Sequence, residues 1–130
     1  MPKMKVKPYP QSVLKRMAET SGIIMKARAL VAMGMPELAA SAWLAAAADE
    51  EQVAPRLEML DRHQEAAIHR ISAASCYQHA GELAKAINLY RAALAGPLPD
   101  LTRQEAEQLL ADCFVRFARS ANGNAMPGRS

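Results

Sequence analysis

Apolar residues recur at three- and four-residue spacing through most of the chain, and breaks in that rhythm divide it into five helical segments. The first should run from Ser12, placed to cap it, to about Met33, with Leu14, Met17, Ile24, Ala27, Leu30 and Val31 on one face. Ser21-Gly22 marks a place for a kink, and Gly34 ends the segment. Pro36 opens a second helix, where its missing N–H costs nothing and Glu37 meets the positive dipole end. Leu38, Ala39, Ala42, Trp43, Ala46 and Ala47 point inward, and the polar run Asp49-Glu50-Glu51-Gln52 closes it near Glu51. The third helix is assigned to Pro55 through Ala80, the fourth to Glu82 through Ala95, and the fifth to 101–120. Gly81 supplies the positive φ that separates the third from the fourth, and Gly96-Pro97-Leu98-Pro99-Asp100 is a stiff linker. In the fifth helix Ala106, Leu109, Leu110, Cys113, Phe114 and Phe117 form the apolar stripe, with Arg103, Glu107, Arg116 and Arg119 opposite. Residues 1–11 read as a basic, flexible arm and 121–130 as a flexible tail.

The stretch Arg70 to Pro97 is a helical hairpin, and over Ala67 to Asp100 its residues resemble one tetratricopeptide repeat. The family's small, aromatic, glycine, acidic, alanine, aromatic and alanine slots read Ala74, Tyr77, Gly81, Glu82, Ala86, Tyr90 and Ala93, with a closing proline at 97 or 99. Arg70 departs from the pattern, standing where a large apolar residue is usual. Sliding the unit back by 47 positions sets Ala27 under Ala74, Leu30 under Tyr77, Gly34 under Gly81, Ala39 under Ala86, Trp43 under Tyr90 and Ala46 under Ala93. A first, divergent copy therefore spans about 20–54. The offset of 47 exceeds the usual repeat length of about 34 by 13 residues. These are assigned to extra N-terminal turns of the third helix, which at 26 residues would be about 39 Å long and would need an equally long first helix beside it.

The resemblance implies an all-α, right-handed superhelix of about five helices in antiparallel hairpins: one domain over 12–120, with repeats at about 20–54 and 67–100 and a C-terminal capping helix at 101–120. It also implies a concave groove that holds a peptide or helix of a partner protein. Carried over by position, that groove is lined by Ile24, Arg28, Val31 and Ala32 in the first unit and by Ile71, Ser75, Gln78 and His79 in the second. Arg28 suits a carboxylate and the apolar members an amphipathic segment. The Lys and Asn set with which some family members clamp a terminal carboxylate is not present as a group. The same positions would be buried if the first helix or a second copy of the chain lay over them.

Composition narrows the picture. The 130 residues are enough for one self-supporting core, burying roughly two-thirds of the unfolded surface. They are 51% hydrophobic but only 5% aromatic, so the core is made by close helix approach around alanine. The net charge of +3 conceals an asymmetry: Lys3, Lys5, Lys7, Lys15, Arg16, Lys26 and Arg28 stand against Glu19 alone in residues 1–28, which is +6, leaving −3 elsewhere. No apolar run has membrane-spanning length, and MPKMKVKPYP lacks the apolar core of a secretory signal. With only Cys76 and Cys113, a reducing cytoplasm is the expected compartment, although one disulfide between them stays open.

Chemical motifs are sparse. Cys76 and His79 are three apart and Glu65 and His69 four apart, but His69 lies two turns, about 10 Å, from Cys76, and no HExxH, CxxC or paired ExxH pattern supports a metal centre. Neither cysteine has a motif that supplies a base and an oxyanion hole, and the glycines form no phosphate-cradling loop. No catalytic residue, metal or cofactor is therefore expected. Nucleic acid is disfavoured because Tyr9 is the lone aromatic of the basic region. The reading is a non-catalytic protein-interaction module, an adaptor, scaffold or small chaperone. Two repeats fall short of the three a solenoid usually needs, so a homo-oligomer or a hetero-complex is expected. The alternatives are a basic nucleic-acid-associated helical protein, a metal- or redox-binding helical protein, and a three-helix module resembling the microtubule-interacting-and-transport family.

Overall fold

A computed structural model describes residues 9–125, with side chains described as far as residue 121. Five helices, and no strand, occupy the described residues: α1 (Gln11–Ala32), α2 (Pro36–Met59), α3 (His63–His79), α4 (Leu83–Leu94) and α5 (Asp100–Ala125). Each packs on the one before it, and α5 also touches α3. Among the described residues no helix is long and apolar enough to cross a membrane. The arm and tail expected at the two ends lie mostly outside the described residues. Of what is described, Tyr9 and Pro10 are non-helical, and α5 continues through 121–125 rather than stopping at Ser120.

Three successive turns have one geometry. At the end of α1, Gly34 takes φ 74° and the Met35 N–H donates to Leu30 O at 2.9 Å. At the end of α3, Gly81 takes φ 85° and the Glu82 N–H donates to Tyr77 O at 2.9 Å. Between them, at the end of α2, Asp61 takes φ 59° and the Arg62 N–H donates to Leu57 O at 2.9 Å. Each is a Schellman-type stop, in which a residue in the left-handed region lets the chain satisfy carbonyls of the last helical turn. Glycine adopts that conformation freely; aspartate is one of the few other residues that tolerates it.

The middle turn overturns part of the expected boundaries. Asp49-Glu50-Glu51-Gln52 does not end the second helix, and Pro55 does not start the third: α2 runs on to Met59 with Pro55 inside it. The proline removes one hydrogen bond, leaving the Glu51 carbonyl without an intrahelical donor, but Pro55 is exposed and water can serve that carbonyl. The inserted residues thus lengthen α2 and form the turn at Leu60-Asp61-Arg62, and α3 is 17 residues long rather than 26. Likewise α1 begins at Gln11 on the Pro10 carbonyl, which accepts from the Val13 and Leu14 N–H groups, so Ser12 is not the cap. No break occurs at Ser21-Gly22, since α1 is continuous there.

Two cores result. The larger joins Ala27, Ala39, Trp43, Ala46, Ala47, Ala74, Cys76, Tyr77, Ala86, Ile87, Tyr90 and Cys113, where alanines bring helix axes close and Trp43 and Tyr90 fill the remaining volume. The smaller unites Val13, Val53, Ala54, Leu57 and Ala66, with Tyr9 and Met17 against it, and it exists because α2 is long.

Between the cores lies a polar layer made by three consecutive acids of α2. About 100° apart on the helix, they face different neighbours. Asp49 accepts from Arg16 of α1 at 2.9 Å and from Thr20 Oγ1 at 3.4 Å. Glu50, only 7% exposed, pairs through Oε2 with His69 Nδ1 of α3 at 2.7 Å. Glu51 accepts the Tyr77 hydroxyl. Further along, Glu58 meets His63 at 2.9 Å and Arg70 at 3.8 Å, so Arg70, which breaks the repeat pattern, is held by the extended part of α2. At the other end of the molecule Arg103 of α5 donates to Leu94 O at 2.7 Å and Gly96 O at 2.8 Å, capping α4 with a cation.

These features give opposite signs for two glycine substitutions in urea unfolding. Gly22 is helical and a Cβ there meets nothing within 4 Å, so Gly22→Ala should stabilise by about 0.5–1 kcal/mol. Gly81→Ala, at φ 85°, should cost about 1 kcal/mol. Removing one member of the buried pair, by Glu50→Ala or His69→Ala, should cost about 2–4 kcal/mol, with the double variant well short of the sum. Additive losses in that cycle would show that the two residues are not coupled.

Candidate partner-binding face

The positions carried over to the groove divide among three environments. Ile24 of α1 and Ile71 of α3 are half-buried and packed against the larger core. Ser75 and Gln78 are half-buried beside Tyr90, and Gln78 Oε1 accepts the Tyr90 hydroxyl at 2.8 Å, which commits that amide to the fold. Arg28, Val31, Ala32 and His79 are exposed. Arg28 and His79 come from different helices and act on each other electrostatically.

His79 occupies the centre of this face. Its ring stacks on Trp43 with centroids 4.4 Å apart and planes 17° from parallel, covering an indole that is otherwise buried. The His79 pKa lies below the usual histidine value, first because burial against the indole disfavours the charged ring, then because Arg28 and Arg116 repel it. Arg28 is on α1, His79 on α3 and Arg116 on α5, so basic groups of two other helices act on His79. Among the described residues neither Arg28 nor Arg116 makes an ion pair, and Asp112, one turn before Arg116, accepts from Gln108 Nε2 at 3.2 Å.

The other candidate groups have structural settings. Cys76 is buried, and burial, aided by Glu50 and opposed by Arg28, pushes its pKa up to about 12, which keeps it a thiol at neutral pH. Burial also raises the Cys113 pKa, and both cysteines are free. His69 is held by Glu50 rather than by Glu65, which accepts from Arg62 at 3.2 Å and from the Tyr9 hydroxyl. The Tyr77 pKa rises to about 12, through burial first and then its hydrogen bond to Glu51. No three His, Cys, Asp or Glu side chains converge among the described residues.

Sequence reasoning passed over Arg116 and the role of Trp43 on this face. Arg116 was placed among the solvent-facing residues of a capping helix, although aligning α5 with α1 and α3 as a third first-helix would have carried it to the same face. The Trp43 to His79 stack had no linear signal.

The depressed His79 pKa fixes the sign of a pH effect. Above about pH 6.5 the ring is neutral folded or unfolded. As pH falls below that value the unfolded chain takes up the proton first, so stability is lost until the folded-state pKa is passed. His79→Gln should remove that part of the acid destabilisation, and the His79 ring resonances should titrate with a midpoint below 6.5. A midpoint at or above 6.5 would contradict the geometry. Compared with known families and proteins, the chain matches no family model, no curated protein and no solved structure.

Proposed function

We propose that the chain is a non-catalytic protein-interaction module, an adaptor, scaffold or small chaperone, arranged as a tetratricopeptide-like right-handed helical array with α5 as its cap. It holds a peptide or helix of a partner protein on the face shared by α1, α3 and α5. One observation carries this reading: exposed His79 of α3, stacked on Trp43 of α2, feels both Arg28 of α1 and Arg116 of α5, as expected when first helices of successive hairpins line a common surface. Exposed Val31, 57% accessible, extends that surface with an apolar contact. The reading requires no cofactor, and cytoplasmic residence accords with two free thiols.

The ends of the array favour self-association as well. Ile23, Leu30, Leu38, Ala42 and Ala45, with Lys26 and Ser41, line an open cleft of about 390 Å³ between α1 and α2. At the opposite end Phe114, Val115 and Phe117 of α5 are exposed. Both ends thus expose apolar side chains that a second copy would cover.

Affinity capture from the native host tests the shared face directly. Proteins held by the wild-type chain should be lost with Val31→Asp and retained with Ala92→Glu, a change at an exposed position of α4. Capture unaffected by Val31→Asp, in a variant with unchanged circular dichroism, would remove the reading. Light scattering at tens of micromolar should show a species larger than the monomer, and Leu38→Glu should return it to the monomer mass.

A further inference from the structure

We infer that copies of the chain stack head to tail, with the overhanging end of α5 in one copy seated in the apolar cleft between α1 and α2 of the next. This rests on the self-association proposed above and adds which surface meets which. Three features of the molecule support it.

The first is an internal precedent for the cleft. The hairpins α1/α2 and α3/α4 correspond under the offset of 47: Gly34 and Gly81 both take a positive φ, and the Met35 N–H on Leu30 O matches the Glu82 N–H on Tyr77 O. Under the same offset the cleft residues Leu30, Leu38, Ser41 and Ala42 become Tyr77, Lys85, Asn88 and Leu89. Those four line a second cleft, of about 350 Å³, whose remaining member is Glu51 of α2, and Glu51 accepts the Tyr77 hydroxyl. Ile23 likewise becomes Arg70, which reaches Glu58 of α2 at 3.8 Å. In the second hairpin, then, this seat holds the helix that comes before it. Among the described residues α1 is the first helix, so the matching seat of the first hairpin is left open.

The second is the chemistry of the two seats. Arg70 and Tyr77 make the second one polar, to match the acids of α2. The first is apolar, floored by Ile23, Leu30 and Ala42, with Leu38 58% exposed at its edge. Helix α2 of another copy would set Glu51 and Glu58 against these side chains, with only Lys26 among the lining residues to answer them. An uncharged helical face fits instead.

The third is that α5 supplies such a face at the other end of the array. At 12 residues α4 is about 18 Å long, against about 39 Å for the 26 residues of α5. The inward stripe of α5 therefore outruns the helix it packs on. Ala106 and Cys113 are fully covered, whereas Phe117, about 20° from Ala106 around the axis, is 45% exposed. Phe114, with Arg91 of α4 5.1 Å from its ring centre, is still 41% exposed. Asp112, Arg116 and Arg119 lie about 130° or more from the line midway between the two rings, so they point away from this face. The interface with α4 thus continues as an uncovered apolar strip.

Stacked in this way, α5 of one copy takes the place before α1/α2 that α2 takes before α3/α4. The shared face stays clear, since Ile23, Lys26 and Leu30 lie about 140° around α1 from Arg28 and Val31. A contact between two different surfaces repeats from copy to copy.

Mixing two variants tests the pairing, because each keeps one of the two surfaces. By light scattering at tens of micromolar, the wild-type chain should pass two copies as its concentration rises. Leu38→Glu and Phe117→Glu should each run at the monomer mass, and their equimolar mixture should give a species of two copies and nothing larger. Ala45→Glu and Ala121→Glu, at exposed positions on the same two surfaces, should behave alike with unchanged circular dichroism, which separates lost contact from lost fold. Either single variant assembling like the wild type would overturn the head-to-tail contact, because the surviving surface would then pair with itself. So would a wild-type mass that stops at two copies, or a mixture that stays monomeric while the wild type assembles. In each of those cases self-association stands, whereas a wild-type chain that stays monomeric removes self-association and this contact together.

Discussion

The position of α2 between α1 and α3 depends on a layer of three carboxylates, Asp49, Glu50 and Glu51, each committed to a different neighbour. Apolar packing alone would leave this helix free to slide, because alanine faces such as Ala39, Ala46 and Ala47 offer shallow ridges. Glu50 is the member that cannot be misplaced. Moving it by one residue would leave a carboxylate buried away from His69, at a cost of several kcal/mol on the scale of an unpaired buried charge. The layer therefore fixes register between two cores that hydrophobicity holds together but does not align.

That register has a consequence for the exposed face. Trp43 is two turns before Glu50 on α2, and His79 is two to three turns after His69 on α3. Pairing Glu50 with His69 thus brings the other ends of the same two helical stretches together, where His79 stacks on Trp43. The buried ion pair and the surface stack are two rungs of one antiparallel alignment, so the exposed aromatic stack follows from the interior arrangement.

The helices themselves were largely legible in the sequence, and so was the hairpin around Gly81, because glycine followed by a fresh apolar rhythm is a strong stop signal. What misled was chemistry that usually means one thing and here means another. Asp49 to Gln52 looked like a polar connection because three acids in a row are normally solvated, but at 100° per residue they can be absorbed by three separate partners. Pro55 looked like a helix start because proline is costly inside one, yet on the water-facing side of α2 its cost is reduced. Asp61 gave no stop signal because the left-handed conformation is read from glycine, and an aspartate holds it here. With those three misread, the insertion was assigned to α3 although it belongs to α2, and the smaller core it builds with Val13 could not be seen.

The exposed face was legible only in part, for a different reason. Position within a repeat-like hairpin indicated Arg28 and His79, since both fall where the resemblance expects groove positions, and both are exposed. It also indicated Gln78, which the Tyr90 hydroxyl claims, because spacing reports the direction of a side chain but not its competing partners. Arg116 was missed because a terminal helix is expected to turn its charges to water. On α5 Arg116 is itself exposed, about 80° from Ala106 and 60° from Cys113, and it still acts on His79 of α3. A charge at the flank of a packed helix belongs to whatever surface its neighbours build. Here α3 supplies His79, on which Arg116 acts across the helix boundary.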